Sequence, residues 1–188
     1  MRETLNDNFP VHYYRGNVDN NNVVFQNFCW KIVRTTSTGG VKLLYNGVVN
    51  ADGGCNNTGT ASQIGTSYFN KFIDGGYSPA DTVSESSGGN GFLDYPVGLL
   101  TVGESLLADG SMSYLDSGET WWTMSPISYH GGVAGALDVI KHGIVATKFA
   151  VSSDSLLGIR PVVSLKQGIE VESGDGTVSS PYKLDITF

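Results

Sequence analysis

The feature that most constrains this chain is a pair of adjacent tryptophans within residues 121–126, WWTMSP. Burial of both indole rings would remove roughly 300–500 Å² of apolar surface from water, so the pair predicts a nucleus of the core. A second apolar segment, GIRPVVSL, follows at residues 158–165. Its alternating pattern predicts a core strand in which Arg160 is a half-buried cation that needs a carboxylate or carbonyl partners.

Size and composition indicate one domain over residues 1–188, with residues 1–10 as a lead-in. Hydrophobic residues make up 40% of the chain, which excludes a disordered protein. Charged residues are only 15% and there are 25 glycines, a composition that favours strands and turns. The net charge of −7, without a basic cluster, argues against a nucleic-acid partner.

The two cysteines, Cys29 and Cys55, allow two interpretations. They could form a disulfide worth about 3–4 kcal/mol, or remain two thiols with one buried beside Trp30. Scarce lysine and abundant Gly, Asn, Ser and Thr favour the disulfide and an extracellular or cell-surface location. The sequence contains no signal peptide and no membrane-spanning stretch, so we expect no membrane insertion here and any export or anchor segment elsewhere.

The N-terminal half predicts a hairpin and two short helices. Residues 23–36 alternate as one half-buried strand, residues 37–40 form the turn, and residues 41–45 return. Residues 67–74 carry apolar side chains at helical spacing. A second helix begins at Thr101 and ends near residue 110, because Thr101 and Glu104 have the spacing of a capping box.

The C-terminal half predicts strands around exposed loops. Strands are expected at residues 136–140, 144–151 and 159–165, followed by a closing segment at 174–188. The interval between the tryptophans and the last core strand is rich in Ser, Tyr, His, Lys and Asp. We therefore expect residues 126–157 to form a displayed surface on a fixed frame.

The segments WWTMSP and GIRPVVSL, with Gly143 between them, resemble the C-terminal half of bacterial C-type-lectin-fold domains of the formylglycine-generating-enzyme branch. The chain is also similar to surface-displayed domains of gut Firmicutes, through YRGNV at 14–18, WKIVR at 30–34, IGTSYFN at 64–70, GLLT at 98–101 and GDGT at 174–177. The resemblance covers nearly the whole chain, although each motif is short.

This resemblance implies an α+β, C-type-lectin-like fold with two short helices, antiparallel sheets, a loop-rich C-terminal half, and N- and C-terminal strands that meet. From the residues we expect no cofactor, while the resemblance implies a fold that can hold calcium through backbone carbonyls. Some members are variable proteins of diversity-generating retroelements, and the corresponding window here is residues 128–157. A reverse transcriptase and a near-identical template repeat at the locus would establish that hypothesis.

The function expected from these features is non-enzymatic recognition of a protein or glycan by a polar and aromatic surface. Tyr129 and Phe149 are the aromatic candidates for stacking on a sugar face. Trp121, Trp122 and Arg160 are assigned to the structural frame. The residues expected to contact ligand are Tyr129, His130, Asp138, Ile140, Lys141, His142, Thr147, Lys148, Phe149, Ser152, Ser153 and Asp154.

Enzymatic alternatives have weaker support. The sequence has no cysteine after Cys55, which argues against an oxidase of the formylglycine-generating type. Ser125, His130 and Asp138 could form a hydrolytic triad, but no Gly-x-Ser-x-Gly elbow is present. The three histidines lack metal-ligand spacing, and no calcium loop of the Asp-x-Asp-x-Asp-Gly type occurs. A structural spacer of a pilus or surface layer is a further alternative.

Overall fold

The structure is a computed structural model that describes residues 10–36, 39–55, 97–109, 113–130, 133–140, 144–147 and 157–185. The elements within these residues, in chain order, are β1 Asn22–Phe25, β2 Phe28–Thr35, β3 Val41–Val48, β4 Val97–Gly98, α1 Val102–Leu107, β5 Trp121–His130, β6 Val133–Ile140, β7 Ile144–Thr147, β8 Val162–Leu165, β9 Glu170–Ser173 and β10 Tyr182–Asp185.

Seven strands form one mixed sheet in the order β4-β8-β3-β2-β1-β10-β9. Its neighbours pair antiparallel except β1 and β10, which run parallel with Val23 opposite Tyr182. This parallel pair brings together the first and last strands of the described chain. Strands β5, β6 and β7 form a separate antiparallel sheet in that order.

The predicted α+β class with two helices is wrong, because the described part of the chain is mostly β, with one short helix. The predicted helix at residues 67–74 lies outside the described residues. In the described residues of the C-terminal half, strands replace the expected loops, since β5 continues through Pro126 to His130 and pairs with β6. The cause is visible in the composition, where Gly, Ser, Thr and Val supply strands and turns with few strong helix formers.

Residues 23–36 are not one strand, as the alternation predicted, but two. Gln26 and Asn27 adopt left-handed backbone with φ of 52° and 62°, and close a two-residue hairpin between Phe25 and Phe28. Two consecutive residues with positive φ suit this tight turn because its twist matches that of the strands. The alternation continues across the turn, so the hydrophobic pattern alone could not reveal it.

The closing segment predicted at residues 174–188 contains β10 at Tyr182–Asp185. Before β1, Tyr13 forms an isolated bridge with Arg34. β9 was not predicted, because its side chains are all exposed and carry no apolar periodicity. No helix in the described ranges is both long and apolar enough to cross a membrane.

The seven-stranded sheet has an apolar cluster on each of its faces. The first cluster lies between it, α1 and β5, and contains Val33, Leu44, Leu100, Ala108, Tyr114, Leu115, Trp121 and Val162. The second cluster, on the opposite face, is centred on Val23, Trp30 and Leu43. A third, smaller cluster joins Trp122 to Ala136 and Ile159.

The predicted capping box at the start of α1 is confirmed. The Thr101 side chain accepts from the Glu104 amide, and the Glu104 carboxylate accepts from the Thr101 amide at 3.0 Å. The same carboxylate pairs with Lys42 of β3 at 2.5 Å and with Arg34 of β2 at 2.7 Å. One buried side chain therefore caps the helix and attaches it to the larger sheet.

The predicted disulfide between Cys29 and Cys55 is confirmed, with the two Cα atoms 5.6 Å apart. It connects β2 to the segment after β3, where Val49 and Cys55 form an isolated bridge. The Cys55 amide also donates to the Val178 carbonyl at 2.7 Å. The disulfide therefore attaches residues 49–55 to β2, and the hydrogen bond to Val178 attaches them to the C-terminal part of the chain.

Candidate functional site

The candidate site is the three-stranded sheet, which occupies much of the region predicted to be displayed. At one end of the sheet, Trp122 lies opposite Asp138, and Asp138 lies opposite Ala146. At the other end of β5 and β6, His130 lies opposite Val133. We call the tryptophan end the base of this sheet and the His130 end its tip.

Backbone hydrogen bonds attach the base to the rest of the molecule. The Trp122 amide donates to the Gly158 carbonyl at 2.9 Å, and the Gly158 amide donates to the Thr120 carbonyl at the same distance. The Met124 amide donates to the Leu100 carbonyl at 3.0 Å. The bonds to Gly158 therefore hold together the two ends of the predicted displayed surface, residues 126–157, and the bond to Leu100 attaches β5 to the segment before α1.

Both tryptophan rings are buried, with 0% and 1% of their surfaces exposed. Adjacent residues of a strand point to opposite faces, and the two rings accordingly belong to different clusters. Trp121 packs in the cluster with Leu44 and Val162 of the larger sheet, whereas Trp122 packs with Ala136 and Ile159. The pair therefore fills the core on both sides of β5.

Arg160 is fully buried beneath this base, rather than half-buried as predicted. Its guanidinium donates to the carbonyls of Tyr45 and Leu115 at 3.0 and 2.7 Å, and to Asn46 Oδ1 at 2.8 Å. Cζ lies 5.0 Å from the centroid of the Trp121 ring. Burial lowers the pKa of Arg160 to about 10, so the side chain stays charged and needs these acceptors. The predicted carbonyl partners are confirmed.

The predicted ligand residues in the described strands do not converge at one point. Tyr129 and His130 lie at the tip, opposite Ala134 and Val133. Ile140 lies opposite Ile144 at the far end of β6, a separation of roughly 20 Å for a strand of this length. Thr147 pairs with Leu137 between these positions.

Asp138 differs from the prediction of display, because only 1% of its surface is exposed. It lies on the central strand of the three, between Trp122 and Ala146. A charged residue between two apolar segments suggested an exposed position, but the central strand of a small sheet over a core is the most enclosed. Asp138 is therefore part of the interior of the base.

The remaining predicted ligand residues lie outside the described residues: Lys141, His142, Lys148, Phe149, Ser152, Ser153 and Asp154.

Ser125, His130 and Asp138 do not form a catalytic triad. His130 pairs with Val133, and Asp138 lies five positions further along β6, roughly 16 Å away. A triad requires direct hydrogen bonds between its members. Ser125 is buried and its Oγ accepts from the Val102 amide at 2.9 Å, so it contributes to the attachment of α1.

The chain has no free thiol, since both of its cysteines are joined in the disulfide. Within the described residues, no group of three or more His, Cys, Asp and Glu side chains is arranged to hold a metal ion.

Two buried polar groups were missed by the sequence reasoning. One is the ion cluster of Glu104, Arg34 and Lys42, and the other is the contact between Lys31 and Asn21. Burial raises the pKa of Glu104, but the charges of Lys42 and Arg34 and several hydrogen bonds outweigh it and lower the pKa to about 2. The available signal was the occurrence of single cations within otherwise apolar strands.

Comparison with known proteins gives no relative: no protein-family model, no curated protein and no solved structure matches the chain.

Proposed function

We propose that this protein is an extracellular recognition module, without catalytic activity, that contacts a protein or glycan ligand through its three-stranded sheet. The observation that carries the proposal is the attachment of the sheet's base through two buried tryptophans and the Gly158 hydrogen bonds. A binding surface supported by rigid strands holds its side chains more precisely than one on free loops. The tip, with Tyr129 and His130, is then the first part of the surface to test.

The proposed location follows from the Cys29–Cys55 disulfide. Such bonds persist in oxidising compartments and are rare in the cytosol of most organisms. The low content of charged residues, 15%, agrees with a surface that binds through polar and aromatic groups. Recognition is favoured over catalysis because the one triad that the sequence suggested is separated along β6.

Screening against glycan and protein arrays tests the proposal. Binding should be reduced at least tenfold by Tyr129→Ala, because truncation of an aromatic hot-spot residue costs about 2 kcal/mol or more and 1.4 kcal/mol is tenfold. Phe28→Ala is the matched control, since this aromatic side chain is 43% exposed and lies on the larger sheet. Binding that is insensitive to Tyr129→Ala but lost with Phe28→Ala would contradict the proposal.

The absence of binding on both arrays would favour a structural spacer. Turnover of sulfatase peptides, esters or glycosides that disappears with His130→Ala would favour an enzyme.

We also propose that the window at residues 128–157 is diversified by a retroelement. This proposal rests on the sequence motifs alone, because the α+β fold that accompanied the resemblance is wrong. A reverse transcriptase gene and a near-identical template repeat of this window at the locus would support it. A locus without either would contradict it and leave the recognition proposal unaffected.

A further inference from the structure

Lys31 is a buried amine without a carboxylate partner among the described residues. Only 4% of its surface is exposed, and the ion pairs within the described ranges involve Arg15, Arg34 and Lys42 but not Lys31. Its Nζ donates to Asn21 Oδ1 at 3.3 Å. An ammonium group with one neutral acceptor among the described residues is costly to bury, so this site favours chemistry that removes the charge.

The Asn21 carboxamide is fully buried and is held in place from its other end. Its Nδ2 donates to the Ile32 carbonyl at 3.2 Å, one residue beyond Lys31. Oδ1, one bond from Cγ, is the acceptor that the lysine amine contacts. Hydrogen bonds at both ends of the carboxamide therefore hold Asn21 next to Lys31 in the folded protein.

The neighbouring Asn22 is the alternative partner, because its Cα lies opposite that of Lys31 in the strand register. Its Nδ2, however, donates to the carbonyls of both Asp19 and Gly176 at 2.8 Å. Both amide hydrogens are occupied, and no described contact joins Asn22 to the amine. The hydrogen bond to Lys31 instead selects Asn21.

The amine can also reach its reactive, uncharged form. Burial, with a contribution from the charge of Arg160, lowers the pKa of Lys31 to about 8, while Asp19 acts in the opposite direction. An uncharged lysine amine is a nucleophile, and desolvation of this kind is how lysines become reactive near neutral pH.

We propose that Lys31 and Asn21 form an intramolecular isopeptide bond in the folded protein. Lys31 Nζ attacks Asn21 Cγ, the bond from Cγ to Nδ2 breaks, and Nδ2 leaves as ammonia with one proton taken from Nζ. Oδ1 remains the carbonyl oxygen of the new amide. The exchange of one C–N bond for another involves no oxidation and no additional reactant, and it replaces a buried amine with a neutral amide.

The intact mass of the purified full chain, measured after reduction of the disulfide, tests this proposal. The folded wild type should be lighter than its sequence by one ammonia, and trypsin should fail to cleave after Lys31. Peptide mapping should then recover a branched peptide that contains Lys31 and Asn21. The wild-type measurement requires no variant, so a failure of any variant to fold does not affect it.

Variants assign the two partners. Asn21→Ala and Lys31→Arg should restore the full sequence mass, whereas Asn22→Ala should still lose one ammonia. A folded wild type with the full sequence mass would overturn the proposal. So would loss of ammonia located at another asparagine without a branched peptide, as a succinimide would give. The inference is independent of the proposed recognition function.

Discussion

The guanidinium of Arg160 lies against the indole of Trp121, with Cζ 5.0 Å from the ring centroid. Trp121 belongs to β5 of the smaller sheet, and Arg160 donates to carbonyls of Tyr45 and Leu115 from other parts of the fold. The buried Arg160 side chain thus connects three parts of the fold: Leu115, Tyr45 of β3, and Trp121 at the base of the candidate site. Such a contact is worth more away from water than at a surface.

Replacement of Arg160 should therefore destabilise the whole molecule. Arg160→Met removes the donor for three acceptors, two of them in buried contacts, and we expect a loss of about 3–5 kcal/mol in the free energy of unfolding, measured by urea denaturation. Arg15→Met is the control, because the Arg15–Asp109 pair has side chains 55% and 51% exposed and should cost about 1 kcal/mol or less. Equal losses in the two variants would contradict the assignment of Arg160 to the frame.

Glu104 should make the fold sensitive to acid. Its folded pKa of about 2 lies below the value of about 4.3 for an unfolded glutamate, so the unfolded chain binds more protons between these values. The contribution of Glu104 is complete above about pH 5 and is lost as the pH falls toward 2, on the order of 2–3 kcal/mol. Denaturant midpoints measured from pH 7 to pH 2 should fall more steeply for the wild type than for Glu104→Gln. Parallel curves would show that this carboxylate does not govern the acid response.

Two glycines should respond oppositely to alanine. A Cβ on Gly40 would lie against the Leu165 backbone carbonyl, so Gly40→Ala must displace β8 or the β2–β3 turn and should lower the melting temperature. Gly103 lies in α1, where the nearest atom to a new Cβ is 3.9 Å away. Gly103→Ala should raise stability by about 0.5–1 kcal/mol through helix propensity. A stabilised Gly40→Ala variant would contradict the packing of this turn.

Removal of the Cys29–Cys55 disulfide should lower the free energy of unfolding. The bond closes a segment with a sequence separation of 26, and the double variant Cys29→Ala with Cys55→Ala should lose about 2–4 kcal/mol. Thermal unfolding of this variant without reductant provides the comparison. A melting temperature equal to that of the oxidised wild type would contradict a stabilising role.

The features that were predictable from the sequence have local or strongly constrained chemistry. The capping box is a four-residue motif, and two adjacent tryptophans are costly to leave exposed to water. Two cysteines can pair in only one way within a monomer. The partners of Arg160 were predictable in kind because a buried cation requires acceptors. None of these predictions required knowledge of long-range pairing.

The other features of the fold depend on the pairing of strands that are distant in the sequence. The parallel contact of β1 with β10 joins Val23 to Tyr182. The resemblance implied that the terminal strands meet, but neither segment by itself indicates this partner or its parallel direction. Asp138 is buried because it lies on the central strand between Trp122 and Ala146, a position that only the register reveals. The Gln26-Asn27 turn interrupts one alternating pattern without changing it. The local sequence therefore contained the elements of the frame but not the order of the sheets.

Hydrogen exchange of backbone amides, compared with and without the glycan or protein selected on the arrays, tests the recognition proposal most directly. We predict that bound ligand slows exchange in the three-stranded sheet, most strongly near Tyr129 and His130 at its tip. Protection confined to the larger sheet, for example around the exposed Phe28 and Val48 pair or along β9, would contradict the proposal.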